Sequence, residues 1–497
     1  MSNVVDFLLN GKPPDQIALK FIHDEIRYGE LQNLVDRAAN LALNLGARKG
    51  DRAILVGDNS VFWVAAYLGI MRAALVAVPL PPNISTPDLS HVIESTDARI
   101  AFVTPAFASR EGASLQELRT ITSLDDSDSP LDDSDSPALD PRIDLPSLET
   151  GDLAALMFTS GSTGRPRGVM ISHRNIMANT DSIIESLQLT GKDRVMAVLP
   201  FYYCFGTSLL HTHLRVGGSV VVDSRFMYPE VVLQRMIDTE CTGFAGVPSH
   251  FQILMRNSTL AKRDFPHLRY VQQAGGRLAP SFIRELTQAL PDKQIFIMYG
   301  QTEATARLSF LPPSQVETKI GSIGKGLPGV QLRVVNEWGS EVGPGEVGEI
   351  VAAGDNVAQG YWRASEETAS SFRDGALYTG DLATVDADGF IYIVDRAKDF
   401  LKCGGERVSC RQIEEKLLGF EELLEAAVIG IPDDVLGESV KAFVVPRNPN
   451  CNGLKEQVAL FCKSHLPPHV VPKEIVVLTA LPKNSAGKVM KESLRSL

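Results

Sequence analysis

The stretch Leu156-Met157-Phe158-Thr159-Ser160-Gly161-Ser162-Thr163-Gly164-Arg165-Pro166-Arg167-Gly168-Val169 decides how this chain is read. The apolar run Leu153 to Phe158 has the length and content of a buried strand, and Val169-Met170-Ile171 starts a second one. Between them stand Thr159, Ser160, Gly161, Ser162, Thr163 and Gly164, with Arg165 and Arg167 next. Glycine lets backbone N–H groups turn toward a ligand, and small hydroxyls add donors without bulk. Two guanidiniums beside such a nest favour a polyanion, most simply a nucleoside triphosphate. The plain alternative is a polar hairpin turn with solvated arginines. A Walker A loop is excluded, because counting from Gly161 the position that must be glycine holds Pro166.

Outward from this stretch the chain alternates strands and helices. On the N-terminal side, helical spacing follows an Arg27-Tyr28-Gly29-Glu30 turn, with Leu31, Leu34, Ala38, Leu41 and Leu45 marking the apolar face. Arg52 to Val56 and Ala74 to Val78 read as buried strands around a buried helix, the pattern of a parallel α/β sheet. On the C-terminal side, strands are expected at 194–199, 218–222, 243–247, 270–272 and 294–298. From 329 to 394 the texture changes to short β runs with glycine turns. After Asp395-Arg396-Ala397-Lys398-Asp399 comes a compact segment of about a hundred residues, the size of an independent unit. The expected architecture is a large α/β domain over 1–396, β-rich from about 329, and a small α+β domain over 397–497. A tandem acidic heptapeptide, Leu124 to Pro130 and Leu131 to Pro137, reads as a solvated surface loop.

With 497 residues the chain exceeds what one core usually serves. A hydrophobic fraction of 44% and a mean hydropathy of +0.01 are those of an ordinary globular protein. The formal charge of −12 argues against a nucleic-acid surface. Cys204, Cys241, Cys403, Cys410, Cys451 and Cys462 show no zinc-ligand spacing and read as reduced cytosolic thiols. The N-terminus lacks the basic region of a secretory signal, and Phe62 to Leu80 is interrupted by Arg72, so no membrane span is expected and the cytoplasm is the expected compartment.

The phosphate-loop stretch resembles the signature of the adenylate-forming superfamily, usually Ser/Thr-Ser-Gly-Ser/Thr-Thr-Gly-x-Pro-Lys-Gly, with Arg167 here in the lysine's place. The resemblance extends from about residue 15 to residue 491. Tyr299-Gly300-Gln301-Thr302-Glu303 matches the family's Y-G-x-T-E motif, after Gly275 and Gly276 at the family's distance. It implies that Tyr299 stacks on adenine, that Gly275 and Gly276 lie along the base, that Thr302 contacts phosphate and that Glu303 holds Mg²⁺. A flat ring suits a purine face, and a hard carboxylate suits a hard cation. Thr379-Gly380-Asp381 implies a ribose-binding Asp381. Arg396 resembles the family's ribose-contacting arginine, and the resemblance implies that Ile393 packs near the adenosine and that Lys398 sits at the hinge. Pro482 to Lys488 resembles the terminal motif whose lysine, here Lys488, reaches the α-phosphate and the attacking carboxylate. Lys402 to Val408, with Lys402 and Gly405, resembles the stretch lining the thiol tunnel.

In the acyl pocket, Pro200-Phe201-Tyr202-Tyr203-Cys204-Phe205-Gly206 matches P-x-x-H-x-x-G with Tyr203 in the histidine's place. Phe205, Val247 and Arg307 complete the expected pocket, Arg307 as a partner for a substrate anion. The implied activity is ATP-dependent formation of an acyl-adenylate with release of pyrophosphate. Transfer to CoA, or to the phosphopantetheine of an acyl carrier protein, follows. The alternative is a catalytically silent nucleotide-binding homologue.

Overall fold

The computed structural model describes residues 3–124, 145–160, 166–396, 400–403, 406–433, 437–448, 451, 453–483 and 489–495. Of the acidic repeat, 124–137, only Leu124 is among these residues, and it is buried; the rest of the repeat lies outside the described residues.

Two sheets built mainly of parallel strands carry the N-terminal part. One has six strands in the order Arg119–Ile121, Ile100–Val103, Arg52–Val56, Val76–Leu80, Leu153–Ser160, Pro166–Ser172. Its first five are parallel, and Pro166–Ser172 returns antiparallel, with Ser160 opposite Pro166. The two apolar runs of the decisive stretch are therefore paired antiparallel strands, and residues 161–165 between them lie outside the described residues. The other sheet has nine strands. Six parallel ones run in the order Gln294–Tyr299, Tyr270–Gln273, Gly243–Gly246, Arg194–Ala197, Ser219–Val222, Ile17–Lys20. Antiparallel strands cap both edges: Glu25–Arg27 at one, Ser309–Leu311 and Lys325–Gly326 at the other.

Helices packed against both sheets explain why these strands read as continuous apolar runs. The Val61–Arg72 helix is apolar almost all round because nine of its residues, Trp63 to Met71, are buried. Two N-terminal expectations are corrected. The Tyr28-Gly29-Glu30 turn is the first turn of the Tyr28–Asn44 helix, where the Glu30 side chain accepts from Arg27 N–H, and a short antiparallel strand pair precedes it. The buried face of that helix is Tyr28, Leu31, Val35, Ala38, Ala39 and Ala42, whereas Leu34, Leu41 and Leu45 are half-buried at its flank. Alanines are buried because the Val61–Arg72 helix crosses closely, with Gly69 against Ala38.

Between 331 and 396 five strands form an antiparallel sheet, as the β texture suggested. From 400 onward another five-stranded sheet has cores of its own, around Leu401, Ile413, Leu417 and Val458 on one face and Phe443 and Leu481 on the other. No helix among the described residues is long and apolar enough to cross a membrane.

Candidate active site

Four neighbouring parallel strands of the nine-stranded sheet end on the same edge, and each runs directly into a segment singled out from sequence. Arg194–Ala197 leads to Pro200–Gly206, Gly243–Gly246 to Val247, Tyr270–Gln273 to Gly275 and Gly276, and Gln294–Tyr299 to Thr302 and Glu303. Ligands of open α/β sheets sit outside such carboxyl ends.

The antiparallel sheet contributes to the same edge. Tyr299 Oη donates to Asp381 Oδ2 at 2.7 Å across 82 residues of sequence, and both side chains are buried. Asp381 is set by its neighbours: its N–H donates to Thr379 Oγ1, whose hydroxyl donates to Ile350 O, while Gly380 N–H donates to Glu349 Oε1. Arg396 lies directly opposite Asp381 in the strand register, and Ile393 opposite Ala383. The expected ribose-side residues Asp381, Ile393 and Arg396 thus share one strand pair with Tyr299 beside it.

Glu303 is reached from the other direction. Tyr361 Oη donates to Glu303 Oε1 at 2.9 Å, and the Arg167 guanidinium stands over the Tyr361 ring, 4.7 Å from its centre. Burial and the Glu303 carboxylate hold the Tyr361 phenol protonated, well above its ordinary range. This gives the Arg167 departure a physical sense: a planar guanidinium lies flat on an aromatic ring, which a compact ammonium does less well. Tyr361 was not found from sequence; the aromatic after Gly360 was the only trace, and nothing local ties it to Glu303.

From Thr302 to Arg307 the backbone is tightly prescribed. Thr305 has φ 67° and ψ −61°, a γ-turn geometry that is rare and strained, closed by the Ala306 N–H on Ala304 O at 2.8 Å. Its hydroxyl donates to Asn356 O. The turn brings Ala306 and Arg307 against Gly300, where a Cβ would collide with Ala306 O and lie 2.7 Å from Arg307 Cα. Glycine is required there by this close approach. Asn179 grips Arg307 at both ends of its amide, accepting from Arg307 N–H at 3.2 Å and donating to Arg307 O at 2.7 Å.

Phe205 and Val247 meet at Gly275, and Arg307 lies over Phe205. Gly275 has φ 81°, and a Cβ on it would stand 2.9 Å from Val247 Cγ1 and 3.9 Å from Phe205 Cδ1. Val247 N–H donates to His250 Nδ1 at 3.3 Å, and burial pulls the His250 pKa down to about 4, keeping that nitrogen an acceptor. The Arg307 guanidinium lies 3.8 Å from the centre of the Phe205 ring. Tyr203 precedes the Cys204–Val216 helix and packs on Tyr202, ring centres 4.8 Å apart, while Cys204 Sγ is 3.5 Å from Thr302 Oγ1. Gly276 packs toward Pro248, and its carbonyl accepts from Gln273 Nε2 at 2.7 Å. Next to it, Arg277 forms an ion pair with Glu415 of the C-terminal segment, which Arg411 also approaches at 3.8 Å. Burial, with the Arg411 charge, lowers the Arg277 pKa to about 10.

Thr159 is half-buried at the end of its strand. Gly161, Ser162, Thr163, Gly164, Lys398, Gly405 and Lys488 lie outside the described residues, and of Ser160, Arg396 and Lys402 only the backbone is described.

Comparison with known proteins decides the family. The model of the AMP-binding enzyme family matches residues 9–362, and that of the AMP-binding enzyme C-terminal domain matches residues 412–488. This chain belongs to the AMP-binding enzymes. Like other members it is similar over nearly its whole length to proteins with acid-activating names. A feruloyl-CoA synthase of an Amycolatopsis species is 33% identical over 489 residues, 97% of this chain and 96% of the relative. Among solved structures, an anthranilate CoA ligase in complex with anthranoyl-AMP superposes with a TM-score of 0.89 at 26% identity, covering 99% of this chain and 96% of that one. An o-succinylbenzoate CoA synthetase of Bacillus subtilis, in complex with ATP and magnesium ion, gives a TM-score of 0.86 at 26% identity over 100% and 99% of the two chains. This AMP-binding enzyme is an adenylate-forming acid–thiol ligase: it uses ATP to convert a carboxylic acid to an acyl-adenylate, releasing pyrophosphate, and transfers the acyl group to CoA.

Proposed function

We propose that the edge formed by Gly275, Gly276, Tyr299, Thr302, Glu303 and Asp381 binds Mg·ATP and that the pocket beside it, around Tyr203, Phe205 and Val247, receives the acid. The observation that carries this reading is the Tyr299–Asp381 hydrogen bond. It joins the base-side ring to the ribose-side carboxylate, so the two groups a nucleoside would need are held together. Gly380 has φ 73° and open space where a Cβ would stand, so a ribose can approach that backbone. Glu303 suits a divalent ion in chemistry and setting, a half-buried carboxylate with one oxygen fixed by Tyr361. Magnesium bound there would neutralise phosphate charge. The stretch from Thr159 to Gly164 with Arg167 would hold the β- and γ-phosphates, and Lys488 would balance the charge that grows as the carboxylate oxygen attacks the α-phosphorus.

The second step rests on the C-terminal unit, 397–497 in this reading, turning about Lys398 so that Lys402 and Gly405 face the site and admit the thiol. Its separate sheet and cores support that division. Buried free thiols at Cys241, Cys403, Cys410 and Cys462 suit a reducing compartment, the cytoplasm.

The test is pyrophosphate release on mixing the protein with Mg·ATP and a panel of carboxylic acids, repeated with Lys488→Ala. Adenylation should fall by orders of magnitude in the variant, while CoA-dependent consumption of supplied acyl-adenylate falls much less. Equal loss in both half-reactions refutes the Lys488 assignment. No release with any acid refutes the activation site.

A further inference from the structure

Among the described residues, the buried charge of Arg307 in the candidate pocket has no carboxylate counterpart. It is 2% exposed. Its Nη1 donates to its neighbour's carbonyl, Ala306 O, at 3.3 Å, and Nε and Nη2 have no hydrogen-bond partner among the described residues. No carboxylate among those residues forms an ion pair with it. Burial holds its pKa down near 10, still leaving it a cation at neutral pH. The titratable group that interacts with it is the Cys204 thiol, which burial keeps protonated and therefore neutral. The Phe205 ring stabilises the guanidinium from one face. That contact does not replace hydrogen bonds on the N–H edge, and an uncompensated buried charge is among the costliest features a fold can keep.

The unused edge is informative. Nε–H and Nη2–H point side by side, the fork that matches the two oxygens of one carboxylate. The guanidinium plane is fixed by Phe205, and its backbone by Asn179, by Asn356 Nδ2 on Arg307 O at 3.1 Å and by the approach to Gly300. A receptor held so firmly before its ligand arrives loses little entropy on binding.

We infer that Arg307 is a specificity residue that receives a second carboxylate of the substrate, so that the acid activated here is a dicarboxylic acid: one carboxylate goes to the α-phosphate and the other to the Nε–Nη2 edge of Arg307. This rests on the acid pocket proposed above. It goes further in naming the substrate class.

The test compares wild type, Arg307→Met and Arg307→Lys on chain-matched pairs: propionate with malonate, valerate with glutarate, benzoate with phthalate. Binding of each acid is measured by calorimetry without ATP, and kcat/KM by pyrophosphate release. At least one diacid should bind wild type about 10- to 100-fold more tightly than its monoacid partner, the worth of charge-assisted hydrogen bonds. Arg307→Met should bring that ratio close to one, and Arg307→Lys should retain part of it. Circular dichroism and the thermal midpoint verify that the variants are folded. If Arg307→Met instead raises the KM for ATP and leaves the diacid-to-monoacid ratio unchanged, the guanidinium serves a nucleotide phosphate and the inference is overturned. It is also overturned if no diacid in the panel binds wild type in preference to its monoacid. Pyrophosphate release with monoacids alone would sink only this inference, whereas no release with any acid would sink the activation site as well.

Discussion

Replacing Tyr361 by phenylalanine removes one oxygen and tests whether the Glu303 carboxylate is aimed by its neighbour. The ring stays, and with it most of the packing under Arg167, since a phenylalanine face also attracts a guanidinium. What is lost is a 2.9 Å hydrogen bond to a carboxylate from a phenol that is 6% exposed. Hydrogen bonds to charged groups are worth about 1.5–3 kcal/mol. Glu303 is only half-buried, so the lower end applies: about 1.5 kcal/mol, or roughly tenfold. Partners that orient metal-holding carboxylates usually cost 10- to 100-fold when removed, in line with this figure. The assay is the initial rate of pyrophosphate release at saturating ATP over a range of Mg²⁺. The half-saturating Mg²⁺ concentration should rise about tenfold, with the thermal midpoint within about 2–4 °C of the parent. In a Glu303→Gln background the same substitution should add little, because the two residues act as a pair. An unchanged or lower Mg²⁺ requirement refutes the reasoning, as does a large fall in the midpoint with full activity per folded molecule.

Three further outcomes are expected. Tyr299→Phe removes the donor to Asp381 and should raise the KM for ATP about tenfold with little change in the KM for the acid, read from steady-state pyrophosphate release; equal effects on both substrates count against a ribose-side role. Gly300→Ala forces a Cβ into Ala306 and Arg307, so activity should be lost along with about 1–3 kcal/mol of stability, measured by denaturant unfolding, and a fully active variant contradicts the prescribed geometry. Lys398→Pro restricts backbone rotation, so adenylation should persist while CoA thioester formation falls in single-turnover assays; survival of both steps removes the hinge from Lys398.

Much of the fold was legible because buried parallel strands announce themselves as apolar runs. The runs at 153–158, 194–199, 270–272 and 294–298 all fall on strands of the two sheets. The Ile17–Lys20 and Glu25–Arg27 pair was missed, since three- and four-residue strands carry too few side chains to show a period, and the second has no buried residue. The face of the Tyr28–Asn44 helix was misplaced because leucines draw the eye, while close crossing by another helix selects alanine for the centre. Within the candidate site, motifs pointed to Tyr299, Glu303 and Asp381 but not to the contacts they make. Tyr299 to Asp381 and Tyr361 to Glu303 span 82 and 58 residues, distances at which spacing carries no information. The strain at Thr305 was equally hidden, because a non-glycine residue in that conformation is held by its surroundings and leaves no compositional mark.

The Arg277–Glu415 bridge begins one residue beyond Gly276 and ends on a helix of the C-terminal segment. In the proposed reading, the nucleotide site and that segment draw on a common free energy. If the bridge tightens ATP binding by some factor, ATP must stabilise the bridge by the same factor, because linkage is reciprocal. Sodium chloride then becomes a probe of communication between the two parts: screening the pair should loosen ATP and free the C-terminal segment together, and Glu415→Gln should make the protein's affinity for ATP less sensitive to salt.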